Sequence, residues 1–363
     1  MPVEFIGYVA ARDQSETRPP SGPAIDLGYV AAVARAHEAA GFDRVLVAHH
    51  STGPDAVLLA GHAAAVAPRL GLMIAHRPGF VAPTYAARLF ATLDVITAGR
   101  VAIHIISGGS DAEQRQDGDF LDHAARYRRT DEWLGVFRRA WTSDAPFDHA
   151  GEFFKVERAF SDVRPVQTPH PPIFFGGASD AAIAVAGRHA DVYAFWGEPL
   201  AQAAELIARV RASAAQAGRD PASIRFSLSL RPILADTEAA AWRRADAILE
   251  RIRAVRGDRL GQTSKPQSEG SRRLLDVAKA GKVRDARLWT EVAAAVGAGA
   301  NTTALVGTPE QVADALLQYH ALGVTTFLIR GFDPLDDAID YGCALIPLVR
   351  ARAAQSPLAT AAE

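Results

Sequence analysis

The chain is poor in the residues that usually announce a metal, a disulfide or a hydrolytic nucleophile. Cys343 is the only cysteine among 363 residues, which excludes an internal disulfide framework and any multi-cysteine zinc site. Set in Tyr341-Gly-Cys-Ala-Leu-Ile-Pro347, it reads as a packing residue. There is no His-Glu-x-x-His, no Gly-x-Ser-x-Gly elbow, no Walker pattern and no spaced-glycine dinucleotide fingerprint, so zinc-protease, Ser-His-Asp and nicotinamide-binding chemistries lack their usual motifs. No uninterrupted apolar run reaches bilayer length. With 39 Lys and Arg against 41 Asp and Glu the net charge is -2, so nothing in the overall balance favours nucleic acid or an anionic membrane. The opening Met1-Pro-Val-Glu-Phe-Ile-Gly-Tyr8 has no basic, apolar or cleavage region, and a cytoplasmic location is expected. A composition of 49% hydrophobic and 22% charged residues is that of an ordinary globular chain with a small-molecule partner.

What is present is alternation. Strand-like segments at Glu4 to Ala10, Arg44 to Ala48, Leu70 to Ala75, Val101 to Ser107, Ile173 to Phe175, Asp191 to Phe195, Arg225 to Leu234 and Thr326 to Arg330 are separated by helical periodicity. Eight such units predict an α/β fold, a single (β/α)8 TIM barrel over residues 1–350; an open doubly wound sheet is the structural alternative. The seventh unit is longest. An insertion at about 256–302 holds a polar, breaker-rich stretch from Gly257 to Gly270 and predicted helices at Leu274 to Ala280 and Leu288 to Ala295, and residues 351–363 read as a tail. From Arg251 to Arg284 there are ten Lys or Arg against Asp258, Glu269 and Asp276. That excess suits either a solvated surface or a lid over an anionic ligand. Thr308-Pro309-Glu310-Gln311 predicts a capped helix start.

Pro172-Ile-Phe-Phe-Gly-Gly-Ala-Ser-Asp180 places a short strand, two glycines and a Ser-Asp helix start in succession. Backbone N–H groups and a positive helix end there suit a phosphate held without lysine; a plain tight turn is the other reading. Barrel active sites lie at the C-terminal strand ends, which makes candidates of Tyr8, His49, His50, His76, Arg77, Ser107, Ser179, Trp196, Arg231, Arg330, Phe332 and Asp333. Three histidine positions at neighbouring strand ends admit a metal-dependent hydrolase, but the first strand ends Val9-Ala-Ala-Arg12 without a His-x-His pair, and no metal is expected. His104, inside Val101-Ala-Ile-His-Ile-Ile-Ser107, reads as a satisfied barrel histidine.

Phe120-Leu-Asp-His-x-x-Arg-Tyr127, the Gly176-Gly177 segment, Tyr193-Ala-Phe-Trp-Gly-Glu-Pro199, Thr303-Ala-Leu-Val-Gly-Thr-Pro309 and Phe327-Leu-Ile-Arg-Gly-Phe332 closely resemble the alkanesulfonate monooxygenase branch of the bacterial luciferase-like flavin monooxygenases. The resemblance runs from Phe5 to about Val349. It implies a TIM barrel with a mobile insertion after strand 7, reduced FMN (FMNH2) as co-substrate, O2, and a separate NAD(P)H-dependent flavin reductase as partner. It also implies a homodimer or homotetramer, and oxidative desulfonation of an alkanesulfonate to aldehyde and sulfite. Carried over by position, Ser107, His123, Tyr127, Gly177, Ala178 and Ser179 are expected flavin contacts, joined by the strand-end His76; Arg231, Arg330, His49 and Trp196 are the expected catalytic and pocket residues. The substrate side departs from that branch: its Arg-x-His on the seventh strand is replaced by Ser229-Leu-Arg231, and its tyrosine after the eighth strand by Phe332. Another small substrate such as a sulfone, a deazaflavin (F420)-dependent oxidoreductase and a non-enzymatic flavin-binding protein therefore stand as alternatives.

Overall fold

Eight parallel strands close on themselves in the computed structural model, which describes residues 2–257, 266–285 and 287–355. They are β1 (Glu4–Val9), β2 (Arg44–Val47), β3 (Gly71–His76), β4 (Val101–Ile105), β5 (Ile173–Gly176), β6 (Val192–Trp196), β7 (Arg225–Leu234) and β8 (Val324–Ile329). Each pairs with the next, and β8 pairs with β1 through Ile6 and Leu328 to complete the ring. This is the α/β barrel expected from the alternation. Among the described residues no helix is long and apolar enough to cross a membrane.

Side chains on a barrel strand alternate between lumen and helical layer. Ile6, Met73, Ala102, Phe174, Val192 and Leu328 form the lumenal plug, and the registers set them side by side, Met73 opposite Ala102 and Phe174 opposite Val192. One step of two residues further along lies the mouth, where Tyr8, Ala75, His104, Gly176, Ala194 and Arg330 occupy the same alternation. The other phase, with Phe5, Val45, Ile74, Ile103, Phe175, Phe226 and Phe327, packs beneath the helices in the main core.

Local chemistry accounts for the helix starts. Asp26, Asp55, Asp122, Ser179, Thr237 and Thr308 each accept an amide of the following turn, and Thr308 with Gln311 completes the expected capping box. A long helix runs from His123 to Thr142, capped by Asp122. An unanticipated hairpin, Phe147–Ala150 with Lys155–Ala159, is secured by Glu132, which accepts the amides of Phe153 and Phe154. At the far end, helix Pro334–Asp340 passes through one wide π turn into Ile346–Ala354, so helix extends past residue 350; residues 356–363 lie outside the described residues. Cys343 is exposed on that turn, which corrects its reading as a packing residue.

The insertion is joined to the barrel wall. The end of β7 leaves the ring, and Arg231 to Leu234 pair in parallel with Ala304–Gly307, which pairs antiparallel with Leu288–Trp289. Leu288 and Trp289 were expected to begin a helix, but both are buried in this ladder, and the helix starts later, at Glu291–Val296. Helix Glu269–Lys279 covers the mouth. Gly270 lies flat on Trp196, where a Cβ would come within 3.1 Å of the indole. Arg273 grips Glu198 with Nε at 2.9 Å and Nη2 at 2.6 Å, while Gln267 and Asp111 exchange two hydrogen bonds. Of the polar stretch Gly257 to Gly270, residues 258–265 lie outside the described residues, and with them Asp258, Arg259 and Lys265 of the basic run.

Arg273→Ala would strand Glu198, whose exposure is 2%, at a cost on the order of 3 kcal/mol. Hydrogen exchange should accelerate in helix Glu269–Lys279 and leave β1 to β4 protected. Equal acceleration throughout would show that the clamp serves the barrel rather than the insertion.

Candidate functional site

At the end of β5 the chain turns through Gly177 with φ +140°, a conformation that side chains rarely adopt. A Cβ there would sit 2.9 Å from the Tyr127 Oη and 2.8 Å from the Ala182 Cβ. The turn delivers Ala178 and Ser179 to the N-terminus of helix Asp180–His189, where the Ser179 Oγ accepts the Ala182 amide at 3.3 Å. Tyr127 reaches across from its own helix, hydrogen-bonded to Ser179; burial raises its pKa, so the phenol stays protonated. The His123 ring packs on Tyr127 at 4.9 Å. Burial, with help from Arg126 and Arg272, lowers its pKa and keeps it neutral near pH 7. The cradle therefore offers a helix dipole, amides and hydroxyls, and this donor set fits one phosphate of a flavin mononucleotide.

Ser107 lies deeper, its exposure small and its Oγ 3.0 Å from the Thr130 Oγ1. Thr130 already donates to the Arg126 carbonyl at 2.8 Å, so Ser107 donates to Thr130 and keeps its lone pairs as acceptors. His76 is elsewhere. Register pairs it with Ile105 on the outward phase of the barrel, and its ring is wedged against Phe90 at 5.3 Å and Trp133 at 5.1 Å. Burial pushes its pKa down to about 3. The structure therefore separates His76 from the turn formed by Tyr127, Gly177 and Ser179, because its register sends the ring into the helical layer. His104 takes the lumenal phase beside Gly176, and its buried Nδ1 has no partner, which corrects its reading as a satisfied barrel histidine. His49 is half-buried near Phe80, its pKa lowered by burial and by Arg77. Among the described residues no three His, Cys, Asp or Glu converge as metal ligands would.

Arg231 and Arg330 do converge, but on an acid. Glu16, from the loop after β1, holds the Arg231 Nη1 at 2.8 Å with one oxygen and the Arg330 Nη2 with the other. Arg231 is 0% exposed, stacked on Phe332 at 3.6 Å, and donates from Nη2 to the Gly331 carbonyl at 2.7 Å. Burial opposes ionisation of Glu16, yet the attraction of Arg231 and Arg330 prevails and brings its pKa down to about 2. The same compensation recurs around the mouth: Arg77 with Glu113 at 2.6 Å, Arg126 with Asp111 at 2.8 Å, and Arg273 with Glu198. The basic residues were visible in the sequence and their partners were not. Glu16 sits in an aperiodic Ser, Pro and Gly-rich stretch whose one clue is its length at the active end of a barrel.

Two outcomes test this geometry. Gly177→Ala should weaken FMN binding at least tenfold and leave riboflavin, which has no phosphate, nearly unchanged; fluorescence titration of both distinguishes a phosphate cradle from a plain turn. The Glu16 pKa falls from 4.5 to about 2 on folding, so its ionised form adds stability above pH 4.5 that is lost as pH falls toward 2. Over that window urea midpoints should drop more steeply for the native chain than for Glu16→Gln. Parallel curves would remove the ion pair.

A family model described as luciferase-like monooxygenase matches residues 3–326. Among solved structures the chain is similar to riboflavin lyase (RcaE) with modified FMN and substrate riboflavin, at 21% identity over 97% of this chain and 92% of that one, TM-score 0.79. It is similar to EDTA monooxygenase (EmoA) from Chelativorans sp. BNC1, at 20% identity over 97% and 94%, TM-score 0.77. The F420-dependent secondary alcohol dehydrogenase in complex with an F420-acetone adduct shares 18% identity over 96% and 99%, TM-score 0.70. At these identities the structural likeness speaks for the barrel, while the family match spans most of the sequence. The chain belongs to the luciferase-like monooxygenase family.

Proposed function

We propose that this chain is the oxygenase of a two-component system, taking FMNH2 from a separate NAD(P)H-dependent flavin reductase and using O2 to oxidise a small organosulfur compound. The observation that carries the reading is the lysine-free turn of Tyr127, Gly177, Ala178 and Ser179, whose amides, hydroxyls and helix end suit one phosphate, on a barrel whose Trp196 is covered by Gly270 of the insertion. When bound, reduced flavin supplies with oxygen the oxidising chemistry. The protein's share is placement and the exclusion of water, for which the clamp between Arg273 and Glu198 is suited. Paired arginines around the mouth favour a sulfone or another uncharged organosulfur substrate over an alkanesulfonate, whose three oxygens need free charge-assisted donors. Exposed Ile25, Leu27 and Leu58 on adjoining segments offer an apolar face for pairing into a homodimer or homotetramer.

Oxygen uptake and sulfite release should be followed with enzymatically reduced FMN and a panel of sulfones and alkanesulfonates. The expected result is FMNH2-dependent oxygen consumption stimulated most by an uncharged sulfone. Greater stimulation by a sulfonate, with sulfite released, would move the substrate to that class. Peroxide alone would leave a flavin-binding protein. Failure with FMNH2, together with reduction of a deazaflavin, would favour the hydride-transfer reading that the F420-dependent neighbour motivates.

A further inference from the structure

Two guanidinium groups sharing one small oxyanion are how proteins commonly hold a carboxylate, sulfonate or phosphate ligand. Here that arrangement is complete within the chain. Each Glu16 oxygen takes one arginine, Arg231 and Arg330. The remaining faces of Arg231 are used as well, by Phe332 and by the Gly331 carbonyl; its buried Nε has no partner, and its Nη1 meets Glu16 Oε2 at 2.8 Å as an ion pair outside hydrogen-bond geometry. Arg330 lies with its carbon centre 4.9 Å from the Tyr8 ring centroid. Glu16 is delivered by an irregular loop fastened beside β8: Thr17 Oγ1 donates to the Phe332 carbonyl at 3.1 Å, and Arg18 pairs with Asp333 at 2.8 Å. The carboxylate is thus seated by its own loop.

From this geometry we infer that Glu16 is the residue that sets the charge class of the substrate, standing as a resident carboxylate in an oxyanion receptor made by Arg231 and Arg330. An anionic substrate entering beside it meets a like charge in a partly dry site and finds the receptor's edges taken, whereas an uncharged one meets neither obstacle. Removing the Glu16 carboxylate exposes the receptor. The inference deepens the oxygenase reading by naming a property of its substrate, and it rests on that reading for the word substrate. The receptor itself can be tested without flavin.

Methanesulfonate is a suitable probe, titrated calorimetrically into the full chain without flavin. Glu16→Ala is expected to bind it at least tenfold more tightly than the native chain, with an affinity that falls as salt rises and is lost when Arg330→Gln is added. The thermal midpoint of Glu16→Ala should lie below that of the native chain and climb with methanesulfonate, which leaves the native midpoint where it is. If Glu16→Ala does not fold, Glu16→Gln, of the same length, carries the same comparison: its one amide oxygen accepts from a single arginine and its NH2 cannot accept from the other, which leaves one guanidinium for the probe. Equal affinity in the native chain and the variant, or a folded variant that gains none, would overturn the assignment. Neither result bears on whether FMNH2 supports oxygen uptake, so failure of the receptor and failure of the oxygenase reading are separable.

Discussion

A side chain on a closed barrel strand has two destinations, the lumen or the helical layer, and one residue of register exchanges them. The site depends on that constraint. His76 and His104 lie on neighbouring strands near the same end, the first buried and the second half-buried, and desolvation holds both neutral by lowering their pKa values to about 3 and about 4. Yet His76 pairs with Ile105 and packs on Phe90 and Trp133, while His104 pairs with Ala75 in the lumen beside Gly176. Composition treats them alike; the phase of the alternation separates structural from chamber-facing imidazole.

Around the mouth the governing fact is compensation. A guanidinium without a counter-ion is costly in a partly dry site, and this chain answers with Glu16 from the segment after β1, Asp111 and Glu113 from the one after β4, and Glu198 from the one after β6. These acids do structural work between loops as well as lowering the field of the arginines. The turn at Gly177 follows the opposite rule, presenting amides, hydroxyls and a helix end, while the exposed Asp180 carboxylate at the helix start pairs with Arg209. The turn thus leaves its donors open, whereas the arginines of the mouth are already neutralised.

The barrel was readable because eight apolar strands and their capped helices repeat a local rule, and local rules survive without tertiary information. The turn after β5 was readable for the same reason: Gly177, Ser179 and the helix after them are contiguous. The arginine cluster was half readable. Arg231 and Arg330 stand on strand ends, but Glu16 reaches them from more than two hundred residues away through a loop with no periodicity. The helix expected at Leu288 failed on a similar ground, since the competing partner, Leu305, is supplied only by the fold.

β7 is the strand on which ring and insertion meet. Its first half belongs to the barrel; from Arg231 onward its partner is the segment Ala304–Gly307, and the Arg231 amide itself donates to the Thr303 carbonyl at 3.1 Å. Arg231 thus stands at a seam. The covering segment is therefore not a detachable module: without Thr303 to Gly307 the backbone that seats Arg231 would lose its partner. A change of register in that short stretch of shared sheet would move the cover and Arg231 together.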